Sequence, residues 1–204
     1  MADLIFTPPD AWANGFYTLA IDLNERSDEH SRAALVSLLS YPALDGWYLN
    51  RNKEPYEQPR VDASGPVENH RYGVLTLPNG KKVPCGCYIF HTQQVEPDWL
   101  ELFIPLAAID KIYPTGGFPF GPSQGYTAWQ QEIDLALVEV ARHVYRQVPF
   151  AAGMIDFEPD LDDMEYLFWN AVAQIPPENL RSGFLWAGAN GLEWHPPKVR
   201  PAVP

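Results

Sequence analysis

The 204-residue chain is 46% apolar and 20% charged, with a formal net charge of −12. This is the composition of a single globular domain with ample core, not of a disordered chain. The charge argues against a nucleic-acid backbone or an anionic membrane as partner, because both require clustered basic surface. No stretch reaches the roughly 20 apolar residues of a membrane helix, and the N-terminus MADLIFTPPDAW lacks the basic and apolar regions of a secretory signal. A cytoplasmic, bacterial-type protein forming one domain over residues 1–204 is expected.

Residues 16–23 alternate, with Tyr17, Leu19, Ile21 and Leu23 on one face and Phe16, Thr18, Ala20 and Asp22 on the other, which predicts a strand. Ser27 is placed to cap a helix that carries Asp28 and Glu29 in its first turn, a Leu35, Leu38, Leu39 stripe, and Pro42 as its stop. A short strand, GWYLN, follows. Residues 51–70 are polar and interrupted by prolines, and they are read as an irregular surface excursion.

Arg71–Leu77 and Val83–His91 flank Pro78-Asn79-Gly80, a strong hairpin signal. Cys85 and Cys87 share one face of the return strand and read as reduced, half-buried thiols. Leu100–Leu106 alternates again. The loop at 113–126, rich in glycine, proline and aromatics, leads into a long helix over 127–148, striped by Trp129, Ile133, Ala136, Leu137, Val140 and Val144. Phe150–Glu158 reads as a strand, Asp160 as the cap of a short helix, GFLWAG as a last strand, and 195–204 as a proline-rich tail. The expected fold class is α+β: a mostly antiparallel sheet with two main helices on one face, built from two strand–helix–strand units joined by a hairpin.

Strand parity places the candidate chemistry. If the apolar faces meet the helices, then Phe16, Glu101, Phe103, Asp156 and Glu158 share the opposite face, where carboxylates beside rings suit a cation. Phe118, Phe120 and Trp129, in or just after the glycine-rich loop, could cover a pocket or anchor a partner. The acidic run from Asp156 to Glu165 lacks the glycine and terminal glutamate of a calcium loop, and Asp160, Asp162 and Asp163 are explained by helix capping. The five histidines and two cysteines show no metal-ligand spacing, and no nucleophile elbow or phosphate-binding loop is present. No metal and no cofactor are therefore expected.

The two strand–helix–strand units with an acidic, aromatic-lined sheet face, and the parity of Glu101 and Glu158, resemble the bacterial effector-binding modules of the gyrase-inhibitor-like class. The proline-rich insertion at 51–70 departs from that pattern. The resemblance implies a cleft for cationic or hydrophobic small molecules, closed against a buried glutamate. Net charge, exposed aromatics and the lack of a catalytic constellation give the leading expectation, a non-catalytic acidic binding protein of the immunity or inhibitor kind that engages a basic protein. A small-molecule sensor using the acidic sheet face is the alternative. A carboxylate-dependent hydrolase using Asp156 and Glu158 is a third reading.

Overall fold

The computed structural model describes residues 4–91, 97–119, 126–159 and 182–197. The strands are β1 (Phe16–Asp22), β2 (Leu44–Tyr48), β3 (Arg71–Thr76), β4 (Lys82–Phe90), β5 (Trp99–Pro105), β6 (Ala152–Phe157), β7 (Gly183–Gly188) and β8 (Gly191–His195). The helices are α1 (Asp28–Leu39), α2 (Leu106–Asp110) and α3 (Ala128–Gln147). The described strands form one eight-stranded antiparallel sheet in the order β2-β3-β4-β5-β1-β6-β7-β8. The fold is α+β, as expected from the sequence.

Alternating directions make β1 run parallel to β2, and β5 parallel to β6. Strands that run the same way need a crossover rather than a tight turn, and the two longest helices supply it. α1 carries the chain from β1 to β2, and α3 carries it from β5 to β6. Ser27 caps α1 by accepting the His30 N–H at 3.3 Å. Thr127 and Gln130 form the capping box that starts α3. The helices touch at their ends, where the Tyr41 ring lies 5.3 Å from that of His143 and Ser40 Oγ lies 3.0 Å from His143 Nε2.

The main core lies between this helix layer and one sheet face. It takes Tyr17, Leu19 and Ile21 from β1, Val83, Cys85, Cys87 and Ile89 from β4, and Ile133, Leu137, Val140 and Val144 from α3. The two cysteines are fully buried, beyond the half-burial expected, because both point into this layer.

Residues 51–70 are irregular apart from a 3-10 turn at Pro55–Glu57, yet their second half returns to the protein. Ala63 and Val67 join the core. Buried Arg71 holds the segment by donating to the carbonyls of Asp62, Pro66 and Asn69 at 3.3, 3.2 and 2.9 Å. Arg32 of α1 donates to the carbonyls of Ala63 and Gly65. The excursion is thus a strap over the β2 end of the sheet, tied down by two arginines.

Two further expectations changed. Leu106 begins α2 rather than ending a strand, because Pro105 breaks the ladder and Leu-Ala-Ala-Ile then coils. β8 was not expected; its Leu192 and Trp194 pack on the core, so the tail begins after His195 rather than at it. The helix expected after Asp160 lies outside the described residues.

Candidate functional site

The sheet face opposite α1 and α3 is not a plain solvated surface, and at its β5, β1, β6 and β7 strands Trp99, Ala20, Met154 and Phe184 form a second buried apolar cluster. Antiparallel register aligns Gly86, Phe103, Thr18 and Asp156 in one row across β4, β5, β1 and β6. The next row holds Tyr88, Glu101, Ala20 and Met154. Gly86 is what lets the rows fit. A Cβ there would lie 2.2 Å from Phe103 Cζ, so the ring lies across the bare glycine.

Around this ring the aromatics close up. Phe16 meets Phe103 edge-on at 4.9 Å, Tyr88 lies 6.1 Å from Phe103, and His70 stacks on Tyr88 at 4.4 Å. Glu101 is half-buried among them and accepts a 2.7 Å hydrogen bond from the Tyr88 hydroxyl. Burial raises the Glu101 carboxyl above its ordinary range, and the Tyr88 hydrogen bond only partly offsets that. Burial, and then the Glu101 charge, push the Tyr88 phenol up. Burial, and then the Arg51 charge, lower His70, which favours its neutral form.

The predicted residues divide between the two faces of the sheet. Phe16, Glu101, Phe103 and Asp156 share the face opposite α1 and α3, where Phe16 and Phe103 are in contact and Asp156 stands one strand beyond, across Thr18. Asp156 accepts the Phe157 N–H at 2.7 Å and is hydrogen-bonded by Ser182 Oγ. Glu158 lies past the end of β6 with φ +42°; it is exposed, and its N–H donates to the Phe16 carbonyl at 2.9 Å.

Phe118 and Trp129 lie under the sheet, on the helix side. Their rings are 5.3 Å apart and each packs on Tyr17, at 6.3 and 5.8 Å. Beneath them the Tyr17 and Tyr126 hydroxyls both donate to buried Asp134 at 2.6 Å. These two residues belong to the packing of the α3 N-terminus and do not line the acidic face. Phe120 lies outside the described residues.

Tyr88 and His70 were not singled out from the sequence. The parity that turns Cys85 and Cys87 inward also turns Tyr88 outward, so Tyr88 was within reach. His70 stands in the irregular strap, where no periodicity predicts direction. A second polar cluster was also missed. Asp98, fully buried just before β5, accepts from Ser31 Oγ at 3.0 Å and lies 2.6 Å from His91 Nδ1 and 3.5 Å from Arg26 Nε. It ties α1 to the β4 and β5 ends.

No family model matches the chain, and no curated protein and no solved structure matches it significantly. Among the described residues no three His, Cys, Asp or Glu side chains gather to hold a metal ion, and no helix is long and apolar enough to cross a membrane.

Proposed function

We propose that this chain is a binding protein whose sheet face opposite α1 and α3 receives an organic cation against Glu101. The observation that carries the reading is the half-burial of Glu101 beside Tyr88, Phe103 and Phe16, with one hydroxyl donor to its carboxylate. A carboxylate in water-poor surroundings gains more from a counter-charge than an exposed one, and the ring faces add cation–π attraction. An alkylated ammonium with an apolar body satisfies both features.

The test is a thermal-shift titration with benzyltrimethylammonium, using its uncharged tert-butyl analogue as control. At about 100 times Kd, mass action stabilises the native state by about 2.7 kcal/mol, or roughly 5–10 °C for a chain of this size. Glu101→Gln should remove the shift. Binding should also weaken as pH falls through the raised Glu101 pKa, because protonation discharges the site. Equal shifts from the cation and its neutral analogue would refute the reading.

The net charge of −12 favours a second form of the same proposal, in which the cation belongs to a basic protein partner, as for an immunity or inhibitor protein. Captured partners would then be basic and would elute with salt. Capture of neutral or acidic proteins, indifferent to salt, would sink it.

A further inference from the structure

At the opposite face and end of the sheet, a groove of about 410 Å³ opens between the C-terminal half of α1, the edge strand β2 and the strap residues 60–63. Val36, Leu39, Leu44, Trp47, Val61 and Ala63 give it an apolar lining. This volume falls within the range of small-molecule sites. The rim charges are Arg60 and Asp45, joined by a 2.7 Å ion pair, and Asp62.

Trp47 is the unusual member. It is only 4% exposed, yet its indole Nε1–H has no hydrogen-bond partner. Buried indole N–H groups are normally satisfied, so an orphan needs an explanation. Its direction follows from the ring's placement. The shift in register between Asp45 and Trp47 turns Trp47 onto the helix side, and Gly73 of β3 makes room for the ring: a Cβ there would lie 3.3 Å from Trp47 Cε3 and 3.4 Å from Cζ3. Nε1 is on the other edge of the bicycle, so it points away from β3 toward the outer margin of the sheet, where the groove lies.

Water does not reach the N–H in this arrangement. Strap residues 60–63 form the other wall of the groove, held by the Val61 N–H to Trp47 carbonyl bond at 2.7 Å, by Arg32 on the Ala63 carbonyl, and by the exposed Arg60–Asp45 pair. Of these ties the exposed Arg60–Asp45 pair is the weak one.

We infer that this groove is a binding site for a small, uncharged, apolar molecule carrying one hydrogen-bond acceptor, which the Trp47 indole N–H recognises. An anion is disfavoured because the rim's one arginine is already paired and two aspartates stand beside it. An inorganic or hydrated cation is disfavoured by the apolar lining.

The experiment follows indole N–H signals of the ¹⁵N-labelled protein by NMR, with Trp47 assigned through Trp47→Phe. Acetophenone is the probe, and ethylbenzene is the control of similar shape without an acceptor. Acetophenone is expected to shift the Trp47 indole signal saturably, with ethylbenzene binding roughly tenfold more weakly, the value of one buried hydrogen bond. Val36 lines the groove yet is 50% exposed, so Val36→Trp should obstruct the groove without unfolding the protein. It should abolish the acetophenone response while the other indole signals keep their positions. No shift at Trp47, equal affinity for both probes, or an undiminished response in Val36→Trp would each overturn the inference.

Discussion

Gly86→Ala tests whether one missing side chain shapes the aromatic face. The new Cβ would lie 2.2, 2.6 and 2.9 Å from three atoms of the Phe103 ring, the nearest more than an ångström short of ordinary contact. The ring has little freedom to yield, since Phe103 is 6% exposed and braced by Phe16 at 4.9 Å. Overpacking of this kind costs about 1–3 kcal/mol, and replacing a strand glycine returns about 0.5–1 kcal/mol of chain entropy. A net loss of up to about 2.5 kcal/mol is expected, read from urea unfolding monitored by circular dichroism. In a Phe103→Leu background, where the ring is withdrawn, the same substitution should be neutral or stabilising. An equal cost in both backgrounds would refute the reasoning, since the penalty would then have nothing to do with the ring.

Other expectations follow from groups buried elsewhere. Burial lifts Asp22 from 3.8 to about 6, against the pull of the Asn24 N–H. A raised carboxyl contributes stability that is complete below its unfolded pKa and lost as pH rises through the folded value. Asp22→Asn should therefore be more stable than wild type by about 2–3 kcal/mol at pH 7 and should converge with it near pH 4; parallel pH profiles would contradict this. Asp98→Ala breaks a buried charge network and should cost about 3–5 kcal/mol, whereas Ser31→Ala should cost about 1 kcal/mol. The double mutant should be little worse than Asp98→Ala alone, and strict additivity in denaturant unfolding would argue against a shared network. Cys85 and Cys87 are buried with their thiols pushed up by burial. Their labelling by a thiol-reactive disulfide should therefore proceed at the rate of global opening; fast labelling in native buffer would contradict the packing.

Much of this architecture was legible in the sequence because it rests on period and punctuation. The alternation in β1 and β5, the Asn-Gly hairpin between β3 and β4, the Ser27 cap and the α3 stripe each depend on neighbours a few residues apart. Parity alone also placed Phe16, Glu101, Phe103 and Asp156 on one face, since alternation along a strand fixes the side to which each residue points. Register across strands was not legible, because it is set by contacts between residues far apart in the chain. Only the paired sheet set Tyr88 opposite Glu101 and the Phe103 ring over Gly86. The sheet likewise separated Phe118 and Trp129 from the acidic face, by running between them. The strap has no periodicity, so nothing local indicated that Arg71 would draw it onto the core or that His70 would stack on Tyr88. The sequence by itself determined most of the elements and, within the regular strands, the side to which their residues point. The tertiary structure decided which of those residues meet, because burial and register are properties of the assembled sheet.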